Sequence, residues 1–458
     1  MRHFRLVIVG AGTAGLAALN EARRYTDRVL LINDGPYGTT CARVGCMPSK
    51  ALLAVAGAAA APSRLAAAGL LNDPVPGVDL ARVMAHVRQL RDHFVAGPVR
   101  ASAPGEHSVA GRPRFIDANT LEVNGETLTT DATLLATGTR PILPRAWQAL
   151  GDRVVTSDSF FELEHPGRRV AVVGLGPIGV ELGQGLARLG VEVHGITRGQ
   201  RLAGLSDPLV SEALAARLGE ELSLTLGETA DLEPAPDGVR VVAGGQSIVV
   251  DRVLVALGRR PNLEGLGLEG LGLDPARLPL DPATLQVGAL PLYLAGDVSG
   301  LRPLMHEAAD EGRLAAWQAL RGGEQRFARR APLAIVFTEP GAARVGLGMD
   351  ELPGDGVVLG GHDFGRQGRA RMEGRNHGLL RLYVDRASGR LLGSEMAIPE
   401  AEHIAHLLAW CLQQELDVER MLQMPFYHPV VEEGLRSALQ DVARQLGPRR
   451  SGPGLPPA

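Results

Sequence analysis

RLVIVGAGTAGLAALNEARRYTDRVLLIND, residues 5–34, decides the fold. An apolar run of strand length, a glycine turn, an Ala-rich helix and a second apolar run predict a βαβ unit. The turn Gly10-Ala11-Gly12-Thr13-Ala14-Gly15 has the dinucleotide spacing. Its glycines allow a tight turn, close backbone approach to a pyrophosphate and close packing of helix on sheet. A lone turn of this kind is weak, but this one has the required strand before it and helix after it.

The pattern recurs in RRVAVVGLGPIGVELGQGLARLGVEVHGITR, residues 168–198, with Gly174, Gly176 and Gly179 at the same spacing. Two full copies imply two dinucleotides; a ligand-free glycine turn would explain one copy better than both. DATLLATGTRP (131–141) and DRVLVALGRRP (251–261) echo one another as apolar strands ending in Gly, Arg and Pro, and are expected to be the parallel returns closing each unit. LPLYLAGDVSG (290–300) reads as another strand, ending in Gly296-Asp297. Past about residue 330 the pattern turns to strands, turns and the helical EAEHIAHLLAWCLQQEL, which predicts an α+β domain. The Pro/Gly-rich end, GPRRSGPGLPPA, is expected to be disordered.

A chain of 458 residues exceeds a single core, so two or three domains are expected. A net charge of -4, with Arg and acidic residues dispersed, leaves no basic stripe for nucleic acid and no polybasic patch for anionic lipid. The apolar run Ala51–Ala61 is expected to be too short to span a membrane, and the amino terminus reads as a strand leading into glycines rather than a signal, so a cytoplasmic location is expected.

Three cysteines are too few for a disulfide scaffold. Two of them, Cys41 and Cys46 in TTCARVGCMPSK, lie five apart, where catalysis, redox sensing or metal binding are the open readings. The spacing is not that of common zinc sites and no second Cys/His pair is near, so no metal is expected. In a regular helix the two Cα atoms would be roughly 8 Å apart, beyond disulfide reach, so Gly45 must distort the backbone if a bridge forms. A helix starting at Pro48 would point its positive end toward Cys46 and favour a thiolate. The chain holds 47 Lys and Arg residues together, and a single one of them, Lys50, is lysine.

GTTCARVGCMPSK resembles the redox-active motif of the pyridine nucleotide-disulfide oxidoreductases, class I, and the chain is most similar to their dihydrolipoamide dehydrogenase branch. ATGTRP (with Thr137 and Gly138), GLGPIGVELG, LAGDV, FTEPGAARVG and MPFYHPVVEEGLR extend the resemblance along most of the chain, and Gly258 in the echoing return is a further expected cofactor-binding glycine. It implies an α/β fold with two Rossmann-like domains, for FAD and NAD(P), and a carboxy-terminal α+β dimerisation domain. The boundaries expected are 1–148 and 269–328 for FAD, 149–268 for NAD(P), 329–447 for dimerisation and 448–458 for the tail.

The resemblance also implies roles. Cys46 would be the sulfur next to the flavin and Cys41 the one that exchanges with substrate. Lys50 would sit beside the flavin, held by Glu181, as a compact cation that a forked guanidinium could not replace. His428, oriented by Glu433, would be the base, supplied by the other subunit of a homodimer. His403, His406 and Cys411 share a helix and are expected to pack or face solvent rather than bind metal.

Departures from the pattern bear on specificity. Asn33, with Asp34 beside it, stands where the family places an acid for the FAD ribose; Thr39 and Val430 replace a glycine and a threonine. Thr197 stands where an acid would select NAD, and Arg198 and Arg201 after it lean toward NADPH or dual use. LMHEAADEG (304–312) resembles the dihydrolipoamide dehydrogenase branch, so dihydrolipoamide is the first expectation, with a lipoyl-bearing protein complex as a further partner. The rival expectations are an NADPH-dependent reductase of glutathione-type disulfides and a nucleotide transhydrogenase. Mercuric reduction is less expected, since PRRSGPGLPPA has no cysteine pair.

Overall fold

The computed structural model describes residues 2–71, 77–102, 107–322 and 325–447; the tail expected to be disordered lies outside them. Leu6–Val9 is buried at all four positions, as a strand covered on both faces must be. It is central in a parallel five-stranded sheet whose order is Leu292–Leu294, Thr133–Leu135, Leu6–Val9, Val29–Asn33, Ser108–Ala110. The segment Leu292–Leu294 therefore returns to the first sheet after the second unit is complete.

One face of this sheet carries the helices Thr13–Ala22 and Met305–Arg321, whose Ala14, Ala18, Ala308 and Ala315 share one core. Small residues let the two helices touch backbone to backbone: a Cβ on Gly312 would lie 2.1 Å from the Ala14 carbonyl oxygen. The other face packs Val7, Val9, Leu30 and Ile32 against Phe115, Leu121 and Leu128 of a four-stranded sheet.

The second unit repeats the plan. Its parallel sheet runs Val154–Thr156, Arg252–Val255, Arg169–Val173, Glu192–Thr197, Ser223–Leu226. A three-stranded antiparallel sheet over 231–250 packs on one face and the helix Pro177–Arg188 on the other. The apolar parts of the two echoing segments are parallel strands in their own units, as expected. Their Gly-Arg-Pro tails do something else: Thr139–Pro141 pairs antiparallel with Arg259–Pro261, joining the units by a short ribbon.

The last domain is a five-stranded antiparallel sheet from Leu333 to Ile398, covered by the helices Ala401–Gln413 and Glu433–Leu446 through Ile404, Leu408, Leu435 and Leu439.

One expectation needs correction. The apolar run at 51–61 lies inside the longer helix Cys46–Ala67, which accommodates Pro62 without ending. Proline removes one ladder bond and bends a helix without always ending it; here the helix continues past Pro62 although Ser63, Leu65 and Ala66 beyond it are exposed. By length and composition alone, Thr40–Ser63 is apolar enough to cross a membrane. Its Leu52 and Ala56 are buried at the junction of the two units, against Val83 and Val87 on one side and Leu182 and Leu186 on the other.

Candidate active site

The two glycine turns have the same geometry. A Cβ on Gly10 (φ +110°) would lie 2.3 Å from the Ala136 carbonyl oxygen, and one on Gly15 only 1.8 Å from that of Gly10. Gly174 (φ +99°) and Gly179 repeat both distances, against Ala256 and Gly174. At Gly12 and Gly176, which cap the helices Thr13–Ala22 and Pro177–Arg188, a Cβ would meet nothing within 4 Å. Space in front of a helix amino end, floored by glycine, fits a pyrophosphate at both places. Near the first turn the hydroxyl of Thr137 is buried without a partner among the described residues, a polar atom a bound dinucleotide could satisfy.

Asn33, expected at the ribose hydroxyls, spends its amide on the protein. Its Oδ1 accepts from the Ala11 N–H (3.1 Å) and its Nδ2 donates to the Gly35 carbonyl (2.6 Å), so it holds the first glycine turn in place. Asp34 faces Arg112 at 3.5 Å. Gly138 (φ +64°) accepts from the Asn262 N–H, whose side chain also donates to the Thr137 carbonyl. Asp297 accepts from the Thr139 hydroxyl (3.2 Å), and Gly258 (φ +96°) begins the tail that pairs with Thr139–Pro141.

Gly296 (φ +80°) donates its N–H to the buried Glu311 at 2.7 Å. Burial pushes the Glu311 carboxyl up, and Arg329 pairs with both Glu311 and Glu307. Sequence reasoning missed Glu311 and Arg329 as supports of the Gly-Asp turn. The i, i+4 pair of glutamates within LMHEAADEG was the available signal.

The cysteines sit at a break between helices. The Thr39 hydroxyl accepts from the Ala42 N–H (3.1 Å) and caps the short helix Thr40–Val44, so a residue that departs from the family pattern serves the local fold. Gly45 (φ −122°, ψ −117°) ends that helix, and the next begins at Cys46, two residues before the expected start at Pro48. Pro48 falls in the first turn, where its missing donor costs nothing. A Cβ on Gly45 would lie 3.2 Å from the Cys41 Cα, closer than side chains normally come, so glycine lets the break fold tightly over Cys41.

Both cysteines are free thiols, Cys41 half-buried and Cys46 exposed. The Cys41 thiol hydrogen-bonds the Cys46 sulfur and, with the Lys50 ammonium adding its charge, brings Cys46 down to about 7 against the opposing effect of desolvation. Cys41 moves the other way, raised by that hydrogen bond and by burial. The two thiols are thereby pushed in opposite directions, Cys46 toward the thiolate and Cys41 away from it.

Lys50 Nζ meets both carboxylate oxygens of buried Glu181, at 3.0 and 2.7 Å. Glu181 also accepts from the Phe337 N–H (2.9 Å), and the Phe337 ring lies under the ammonium, 4.6 Å from centroid to Nζ. One helix from each Rossmann-like unit and the end of the dimerisation domain's first strand thus converge on a single charge. Phe337 was not legible as part of this site, because FTEP gives no sign of which cation its aromatic ring meets.

His428 Nδ1 lies 3.0 and 3.1 Å from the two carboxylate oxygens of Glu433, whose carboxyl the histidine holds below its ordinary range. The His428 side chain is 80% exposed, and its contacts among the described residues of the chain do not reach Cys41 or Cys46. Thr197 ends its strand, and Arg198 and Arg201 beyond it are exposed with no ion pair among the described residues. His406 Nδ1 is hydrogen-bonded with the Glu402 carbonyl and Cys411 is half-buried against the dimerisation core. Glu400, Glu402 and His403 do converge closely enough to share an ion, but Arg375 already pairs with Glu400.

Residues 4–312 match the family described as pyridine nucleotide-disulphide oxidoreductase, and residues 333–439 match its dimerisation domain. The dihydrolipoyl dehydrogenase of Thermus scotoductus is 32% identical over 97% of this chain and 98% of its own. A mercuric reductase of Staphylococcus aureus is 30% identical over 95% of this chain and 82% of its own. Among solved structures, LpdA from Mycobacterium tuberculosis superposes with a TM-score of 0.82 at 26% identity, covering 96% of this chain and all of the other.

Proposed function

The chain belongs to the pyridine nucleotide-disulphide oxidoreductase family, and from that premise we propose that it is a dihydrolipoamide dehydrogenase. At the coarser level it is a flavoprotein disulfide oxidoreductase that uses FAD and NAD(P)H and carries a dimerisation domain.

In the proposed reaction a small dithiol loses two electrons and two protons. His428, oriented by Glu433, accepts the first substrate proton. The substrate thiolate attacks Cys41 of the oxidised pair, breaking the Cys41–Cys46 bond and releasing Cys46 as a thiolate. The second substrate thiol attacks the mixed disulfide and its proton passes to the departing Cys41 sulfur, which frees Cys41 as the thiol and forms the substrate's own disulfide. FAD supplies the two-electron relay from the reduced pair to NAD(P). Lys50, held by Glu181 and Phe337, places positive charge beside Cys46.

The observation that carries this reading is the placement of Cys41 and Cys46 on either side of the helix break at Gly45, with Lys50, paired to buried Glu181, one helical turn beyond Cys46.

A second reading, NADPH-driven reduction of a glutathione-type disulfide by the same groups in reverse, is favoured by Arg198 and Arg201 beyond Thr197. Anaerobic titration with NADH and NADPH separately, followed by assays with dihydrolipoamide and glutathione disulfide, decides between them. Turnover of dihydrolipoamide with NAD supports the first reading; turnover confined to NADPH and glutathione disulfide replaces it with the second.

A further inference from the structure

We propose that Glu395, deep in the dimerisation sheet, is a positioning residue for the pyridine nucleotide. Glu395 is fully buried in the strand Leu391–Ile398. The residues paired with it across the sheet are both arginines, Arg344 and Arg381, yet their guanidinium groups go elsewhere, to Glu351 and Asp207. The Glu395 carboxylate accepts instead from neutral donors, one in its own domain, the Met349 N–H (3.3 Å), and three in the second Rossmann-like unit: the Ser206 N–H (2.7 Å), the Asp207 N–H (2.7 Å) and the Ser206 hydroxyl.

A buried carboxylate is costly unless its lone pairs are filled, and backbone N–H groups fill them in one loop conformation only. Asp207 completes the clamp, accepting from the Tyr383 hydroxyl (3.0 Å) and Arg381 Nε (3.2 Å) while capping the helix Pro208–Leu218.

The clamped loop begins immediately after Thr197 and carries Arg198 and Arg201. Its middle is tied to the glycine turn itself, because the Ala203 N–H donates to the Leu175 carbonyl at 2.9 Å. The stretch facing the adenosine ribose is therefore held between the pyrophosphate loop on one side and the dimerisation domain on the other. Glu395 touches neither substrate nor cofactor and acts through Ser206 and Asp207. The inference rests on the reading that Thr197, Arg198 and Arg201 border the nucleotide, and not on which disulfide is the substrate.

The test is Glu395→Gln in the holoenzyme, which keeps shape but replaces an acceptor by an amide donor facing N–H groups. Calorimetry gives Kd for NAD and NADP, and the tighter of the two is followed. Losing a charge-assisted acceptor predicts roughly tenfold weaker nucleotide binding, with kcat at saturating nucleotide and KM for the dithiol or disulfide unchanged. Unchanged nucleotide affinity in the folded variant overturns the proposal, and so does an equal rise in both KM values.

Should Glu395→Gln fail to fold, Ser206→Ala removes a single donor. Roughly threefold weaker binding is then expected, and unaltered binding overturns the idea. Failure of the proposed reaction would appear separately, as wild-type protein that binds nucleotide but turns over neither thiol substrate.

Discussion

Lys50 Nζ and Glu181 Oε2 lie 2.7 Å apart across the junction of the two Rossmann-like units, with the glutamate buried and the lysine side chain 34% exposed. Among the described residues, Lys50→Met would leave Glu181 with the Phe337 N–H alone, a buried charge stripped of its cation. Breaking such a pair costs about 3 kcal/mol or more, and turnover should fall by at least roughly tenfold. Lys50→Met/Glu181→Gln should recover stability without recovering turnover. Thermal unfolding and steady-state rates check both, and equal turnover in Lys50→Met would remove the lysine from the site.

The displacement of Cys46 from 9.0 to about 7 has a spectroscopic consequence. A lowered thiol is protonated below its new value and ionised above it, so the long-wavelength charge-transfer absorbance of the two-electron-reduced enzyme should appear as pH rises through about 7. Because the Cys41 hydrogen bond is the largest cause, Cys41→Ala, read without reduction since its Cys46 is already a free thiol, should show the midpoint moved upward, while Cys41→Ser, which keeps a donor, should move it less. A midpoint unmoved by Cys41→Ala would contradict that assignment.

Two glycines of one turn should behave differently. Gly10→Ala places a methyl 2.3 Å from a backbone oxygen that cannot move aside, so little folded protein is expected. Gly12→Ala meets no protein atom within 4 Å and should fold, yet emerge with little flavin, because the methyl occupies the approach to the helix end. Flavin absorbance per folded protein measures the difference; full flavin content in Gly12→Ala would place the dinucleotide elsewhere.

The exposed His428 gives a test across subunits. His428→Ala and Cys41→Ser should each be nearly inactive. If the base serves the partner subunit's cysteines, refolding an equal mixture yields hybrids with one intact site, and about a quarter of wild-type activity returns. No recovery would place both groups of each site in one chain.

What was legible was local. Both glycine turns lie within short βαβ stretches where apolar runs and spacing carry the whole signal, and TTCARVGCMPSK brought Cys41, Cys46 and Lys50 together within ten residues. The distribution of work among distant residues was not legible. Glu395 finds Ser206 at a separation of 189 residues, and Glu181 finds the Phe337 backbone at 156. No periodicity announces such pairs, which follow from how three domains stack. Asn33, expected at the ribose hydroxyls, also braces the loop through Ala11 and Gly35, since an amide can satisfy a nearby loop as readily as a hydroxyl. The helix start at Cys46 was misplaced because Pro48 looked like a first residue, when a third is equally tolerant.

In the ribbon between the two Rossmann-like units, Arg140 pairs with Arg260, Thr139 with Pro261 and Pro141 with Arg259. Each member of the duplicated tripeptide thus faces the mirror-ordered member of the other, with the equivalent arginines meeting at the centre. That is the self-complementary geometry of a twofold contact, enclosed here within one polypeptide. A substitution at the centre of either tail therefore falls on a seam that both halves share.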